Sequence, residues 1–355
     1  MTELNYQAKK KLYDSKNLFD TMYVDFNLTD TVYDEFPIYL LDKIEVDAET
    51  HENVLLESFQ SKLQRRLNKL HVEESYTEEH SSWSAFYALK EVIDQVSAIV
   101  PNEYTPYYRG QAGNWEIQPT IFRSGVSGYS DEFRENYEHI YKDIAQKYPE
   151  DVAYFLPDDK EHLDDRAANL AELQHYGLGT PLVDISENPF VSLLFMVDGY
   201  KGQGNEPQLD IFFVKNDGNN TLFQQVMKKV QNRRIAAQKG AFLNFDKWDV
   251  NTDHNNKIPR ICLRLKYKAH NLNNNEDDDL PDGQDPFDSQ IQNHNKNKAL
   301  ETAVNDIKEK LESYHYRTED LFPDFYMYLG IVKHRYSGTK DFSKNSRWYQ
   351  LNDDK

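Results

Sequence analysis

Apolar residues return at helical spacing in several stretches of the chain. Leu56, Phe59, Leu63, Leu67 and Leu70 share one face, with Lys62, Arg65, Arg66 and Lys69 between them. A stripe of this kind packs on a neighbour, on a partner or on a second copy of the chain. Trp83, Phe86, Leu89, Ile93 and Val96 form a second stripe, which Pro101-Asn102 stops. The polar stretch from Glu73 to Ser82 reads as a connector. Asp131 to Tyr148 and Asp165 to Leu173 predict two more helices, the later one closed by Gly177, where left-handed backbone is favoured. Asn188-Pro189 starts a helix, with Asn as cap and Pro in the first turn, and Phe190, Leu193, Leu194 and Val197 follow. Leu300, Val304, Ile307 and Leu311 mark another, and Leu321-Phe322-Pro323 leads into a last helix through Tyr336.

Strand patterns lie between these helices. Pro106 to Arg109 is a short strand running into Gly110, and Leu182 to Ile185 is a second. Leu209 to Val214 and Gly240 to Phe245 read as buried strands, whereas Ile261, Leu263, Leu265 and Tyr267 alternate with polar residues as in a half-buried one. The expected fold is α+β: a central mixed or antiparallel sheet with flanking helices over residues 81–336. A mainly helical extension over 1–80 and a tail over 337–355 complete the expected organisation. His270 to Lys298 is rich in Asn, Asp and Gln and predicts a mobile insertion with nothing to bury.

Composition narrows the function classes. The 24 Tyr, 19 Phe and 4 Trp supply a core and argue against global disorder. A net charge of −19 repels DNA and acidic membrane faces. The local basic run Lys228, Lys229, Arg233 and Arg234 reads first as a solvated helix face. Cys262 is the single cysteine, so neither an internal disulfide nor a cysteine-based zinc cluster is expected. No apolar run approaches the ~20 residues of a membrane span, and Met1-Thr2-Glu3-Leu4 does not resemble a secretory leader, so a cytoplasmic location is expected. The scattered histidines give no metal motif, and the acidic stretch around Gly283 fails as a calcium loop because Leu280 and Ser289 occupy ligand positions. A phosphate-binding Gly-Lys-Ser/Thr loop and a Gly-x-Ser-x-Gly elbow are absent.

Three segments remain. They are Tyr107-Tyr108-Arg109-Gly110-Gln111; Leu173-Gln174-His175-Tyr176-Gly177 running through Thr180 and Asp184 to Ser186-Glu187-Asn188-Pro189; and Arg234 through Gln238 and Gly240 to Phe242. In this order they resemble the FRG domain, named for its Phe/Tyr-Arg-Gly motif, over the chain from about 83 to 336. That family carries a Gln-His-Tyr-Gly-x-Pro-Thr-Arg-Leu-Leu-Asp-Trp-Thr segment. Here Gly179, Pro181, Ile185 and Ser186 stand where it has Pro, Arg, Trp and Thr.

The layout also resembles Arg-Ser-Glu ADP-ribosyltransferases, and that likeness implies an ADP-ribosyltransferase-like core. On it, Arg109, Ser186 and Gln238 fill the catalytic places. Tyr108, Arg109, Gly110, His175, Tyr176, Thr180 and Asp184 are then the expected binders of NAD or a related nucleotide, with no metal. The implied activity is ADP-ribosyl transfer to a macromolecular target, or NAD hydrolysis, in a toxic effector of bacterial defence. The alternative is a non-catalytic interaction or ligand-binding module. The residues themselves leave structural roles open. Arg109 can pair with Asp184, His175 can cap a helix C-terminus, and Ser186 can cap the helix at Asn188-Pro189.

Overall fold

A computed structural model describes residues 5–33, 36–47, 49, 51–67, 84–125, 128–159, 161–202, 205–216, 222–225, 233–248, 257–268, 286–321 and 329. The chain opens with α1 (Tyr6–Leu12), β1 (Phe19–Tyr33), β2 (Phe36–Val46), α2 (Val54–Leu67), α3 (Ala85–Ile99) and β3 (Tyr104–Gln111). Next come α4 (Asp131–Glu135), α5 (Tyr137–Lys147), α6 (Leu163–His175), β4 (Leu182–Ser186), α7 (Pro189–Asp198) and β5 (Gln208–Lys215). Last are β6 (Phe223–Gln224), α8 (Arg233–Ala237), β7 (Gly240–Asn244), β8 (Ile258–Tyr267), α9 (Pro286–Ser313) and α10 (Thr318–Leu321).

The strands join into one mixed sheet ordered β2-β1-β8-β5-β3-β4-β7-β6. Its neighbours are antiparallel except β1 and β8, which run parallel. Helices cover both faces, as an apolar sheet requires. On one face α2, α3, α7 and α9 pack against Met22, Val24, Phe26, Leu209, Ile211, Phe213 and Leu263. On the other, α1, α5 and α6 pack against Tyr107, Phe212, Val214, Leu182 and Phe242. β5 lies between two covered faces, and that is why Ile211, Phe212, Phe213 and Val214 run apolar without alternation, while its buried Asp210 pairs with Arg260.

Residues 1–80, expected to be mainly helical, depart from that reading. β1 and β2 occupy much of this stretch and form one edge of the sheet. Met22, Val24, Phe26 and Leu28 are all fully buried, and the period of two that buries them stands in the sequence. The Leu56, Phe59, Leu63 and Leu67 stripe is buried in the chain's own core. The insertion expected to be disordered over 270–298 also needs correction. Residues 286–298 belong to α9, whose later turns bury Ala299, Leu300, Ala303, Val304 and Ile307 and anchor the helix. Residues 269–285, the end of the helix expected through Tyr336, and the tail over 337–355 lie outside the described residues. So do Leu70, Trp83 and the connector between them.

A buried arginine network ties α1 to α5, α6 and the turn after β7. Arg166 on α6 has no solvent exposure; it donates to Asp246 at 2.8 Å, to Glu138 on α5 at 2.6 Å and to the Tyr6 hydroxyl at 3.0 Å. Asp246 and Glu138 raise the proton affinity of Arg166 well above its ordinary value against the cost of burial, and hydrogen bonds complete the arrangement.

Candidate functional site

The sheet is incomplete between β3 and β4. These strands share a single paired position, Tyr108 with Ser186, although β3 pairs along its whole length with β5 and β4 along its whole length with β7. Beyond that point the two strands part and a cavity of about 910 Å³ opens. Its walls come from both faces of the sheet: β3 and β4, Ser192 and Phe195 of α7, Arg123 of the loop after β3, and α8.

Of the residues expected to form a site, Tyr108, Arg109, Gly110, His175, Asp184, Ser186 and Gln238 line this cavity. Tyr176 and Thr180 do not. Tyr176 is 78% exposed just past the end of α6, while Thr180 is fully buried. The Thr180 hydroxyl hydrogen-bonds Gln174 Oε1 and accepts from the Leu182 amide, so it braces the turn into β4. Gln174 passes this order on to the cavity, because its Nε2 donates to Asp184 Oδ2 at 2.7 Å.

Arg109 reaches across the opening, and its Nη1 donates at 2.7 Å to the main-chain carbonyl of Asp184. The Arg109 Nε is buried with no hydrogen-bond partner. Desolvation lowers the proton affinity of Arg109; Asp184 opposes that shift and Arg123 adds to it by repulsion. Arg123 is more exposed on its loop, yet partial desolvation also lowers its proton affinity, with Asp184 again opposing. The Asp184 side chain is open to the cavity yet enclosed by its walls. Desolvation therefore raises its pKa, against the pull of Arg109, Arg123 and Arg234. Three guanidiniums thus act on the Asp184 carboxylate and, with Glu116 as the other acid on the cavity wall, outnumber the carboxylates there, a local reversal of the chain's acidic character.

The other motif positions hold the walls in place. Ser186 donates to the Gln238 carbonyl at 2.7 Å and accepts from the Asn188 amide at 3.0 Å, so its hydroxyl is occupied by main chain. Gln238 Nε2 donates to the Leu321 carbonyl at 3.1 Å and ties α10 to the turn before β7. The residue after it, Lys239, has φ of 46°, a left-handed conformation at the end of α8. At Gly110 a Cβ would stand 1.7 Å from the Ser192 carbonyl oxygen, so this glycine lets α7 lie directly on β3 rather than admitting a ligand to the backbone. Asn188 caps α7 through the Phe190 amide at 3.0 Å, with Pro189 in the first turn, as its sequence predicts. Gly177, with φ of 89°, follows α6 in a Schellman arrangement. The Leu178 amide bonds the Leu173 carbonyl, and the Gly177 amide bonds the Gln174 carbonyl.

Sequence reasoning placed Arg234 on a solvated face. The structure corrects this: Arg234 is buried on the cavity wall and donates to the His175 carbonyl at 3.4 Å, at the negative end of α6. Lys228 and Lys229 lie outside the described residues. Arg123 and Trp115 were missed altogether, because each stands in a loop with no motif around it. Arg123 owes its position to Arg134, which is buried on α4. Arg134 Nη1 donates to the carbonyls of Tyr129 at 2.7 Å and of Ile121 and Arg123 at 3.3 Å, and so gathers the loop around itself.

Among the described residues no cluster of three or more His, Cys, Asp or Glu side chains could hold a metal ion, and no helix is long and apolar enough to cross a membrane. No curated protein and no solved structure matches the chain. A family model does match, the FRG domain, over residues 105–205. That span runs from β3 through the Gln-His-Tyr-Gly segment and β4 to α7, and stops short of α8. The strand pair that parts to make the cavity, and the helix lying on it, therefore fall within the stretch that matches the FRG domain.

Proposed function

We propose that the cavity binds an anionic ligand of nucleotide size, NAD or a related dinucleotide, through its phosphates. The supporting observation is the pairing of Arg109 with Arg123. The Arg109 guanidinium is desolvated, the more exposed Arg123 repels it, and Asp184 is the carboxylate that opposes the shift of both and is itself acted on by Arg234. A pyrophosphate would relieve that repulsion and supply an acceptor to the unpartnered Arg109 Nε, for which a planar guanidinium is better suited than an ammonium. The volume of about 910 Å³ falls at the upper end of the range for small-molecule sites, about 300–1,000 Å³.

Binding without rapid turnover accounts best for the neighbouring groups. Cleaving the glycosidic bond of NAD builds positive charge on the ribose, which a carbonyl or carboxylate must stabilise. Gln238 offers only a neutral amide carbonyl, weaker than a carboxylate, with its Nε2 donating to the Leu321 carbonyl, and the Ser186 hydroxyl already bonds main chain. ADP-ribosyl transfer is the second reading, since Arg109, Ser186 and Gln238 do line one cavity. Calorimetric titration with NAD, ADP-ribose and inorganic pyrophosphate tests the binding, and mass spectrometry for free nicotinamide and ADP-ribosylated protein separates the readings. The expected result is salt-sensitive binding with no nicotinamide released on the timescale of the titration. A parent protein that binds none of the three anions would overturn the proposal.

A further inference from the structure

Trp115 stands at the rim of the cavity with 52% of its surface exposed, yet its backbone is fixed. Its amide donates to the Gly113 carbonyl at 2.9 Å in a tight turn. Its carbonyl accepts from Gln111 Nε2 at 3.2 Å and from Gln208 Nε2 at 3.3 Å, both from buried side chains. The six-membered ring of the indole lies over Gly113, where a Cβ would stand 2.9 Å from Cε2 and Cζ2. An apolar ring left this open costs free energy in water, and here main-chain anchoring holds it at the mouth of a cationic cavity.

Gln111 contributes a second observation. Its Oε1 is buried and has no hydrogen-bond partner, although the residue lines the cavity. Along β3, Gln111 and Arg109 are two positions apart and project to the same face. The side chain that holds Trp115 is therefore a neighbour of the one offered to phosphate. An unpartnered buried acceptor calls for a donor, which the base or ribose of a nucleotide carries.

We infer that the rim is a base-stacking subsite: a nucleotide base lies on the Trp115 indole while a donor on the base or its ribose bonds Gln111 Oε1. This rests on the anion-binding reading above and adds to it a requirement for a planar ring. Trp115 acts here as a specificity residue, separating nucleotides from simple polyanions.

The experiment compares the parent, Trp115→Ala and Trp115→Phe by calorimetry with two probes, ADP-ribose and inorganic pyrophosphate. Stacking on an aromatic side chain is expected to make the alanine variant bind ADP-ribose about tenfold or more weakly, with phenylalanine restoring most of the loss. Pyrophosphate affinity should be the same in all three proteins. Because the ring is largely exposed, unchanged melting temperatures are expected to verify the fold. Equal ADP-ribose affinity in parent and Trp115→Ala overturns the subsite and leaves the anion site standing. A parent that binds neither probe overturns both.

Discussion

Arg109 bonds the main-chain carbonyl of Asp184 at 2.7 Å, while the Asp184 carboxylate takes its hydrogen bond from Gln174. The two residues face each other across the gap between β3 and β4 without forming a hydrogen-bonded ion pair. Arg109→Ala then leaves one carbonyl short of a donor, a loss of about 1–3 kcal/mol in urea unfolding and well below the cost of an orphaned buried charge. Arg109→Lys should fold normally and bind pyrophosphate about tenfold or more weakly, because the ammonium lacks the planar fork. Unaltered pyrophosphate affinity in Arg109→Lys would remove Arg109 from the site.

Asp184 gives the cavity a pH dependence whose sign is fixed. Burial raises its pKa, so the folded chain holds this proton more tightly than the unfolded chain does. Stability is then fully present below the ordinary carboxylate value, about 3.9, and is lost as pH rises through the raised folded value. Asp184→Asn keeps an acceptor for Gln174 and removes the charge. Its melting temperature should match the parent's in acid and exceed it at neutral pH, and pyrophosphate should bind more tightly at neutral pH. A variant less stable than the parent at neutral pH would show that the carboxylate is needed by the fold.

Ser186 separates structure from binding. Replacing it with alanine removes one hydrogen bond to the Gln238 carbonyl and one from the Asn188 amide. A loss of about 1–2 kcal/mol in urea unfolding is expected, with pyrophosphate affinity within about twofold of the parent. A variant of normal stability that fails to bind would return the hydroxyl to the ligand.

At Gly110 the expected effect is severe. The Cβ of alanine would meet the main chain of α7 at Ser192 and Met196, which cannot move aside as a side chain does. Gly110→Ala should lose more than about 4 kcal/mol or fail to fold, as measured by soluble yield and circular dichroism. A stable Gly110→Ala protein would mean that α7 does not lie on β3 as described.

Lys239 invites the opposite change. Its φ of 46° is costly for a lysine and free for glycine. Lys239→Gly should gain about 1 kcal/mol in urea unfolding, the relief of strain outweighing the added freedom of the unfolded chain. A loss of stability instead would show that the lysine side chain earns its strained position.

How legible all this was depended on whether the cause was local. Leu56, Phe59, Leu63 and Leu67 announced a buried helix face because helical spacing is a property of neighbours in sequence. Asn188-Pro189 and Gly177 announced their caps for the same reason. Met22, Val24, Phe26 and Leu28 carried the alternation of a strand just as plainly, and that signal was there to be read. The partner of β1 was not, since only tertiary packing decides that it lies beside β8. In the site, motif order brought Arg109, Ser186 and Gln238 to one cavity. Arg123 and Trp115 were beyond reach because Arg134 and two glutamine amides place them from other parts of the chain.

The position of β1 sets a timetable for folding. Its one strand neighbour besides β2 is β8, and side chains that meet across that boundary, such as Asp25 and Arg264, are 239 residues apart. During synthesis the β1–β2 hairpin must therefore wait, its outer edge and apolar face uncovered, until most of the described chain has emerged. Closing so long a loop comes before the parallel pairing can reward it, which makes this seam a late step and exposes a long strand edge to other chains meanwhile.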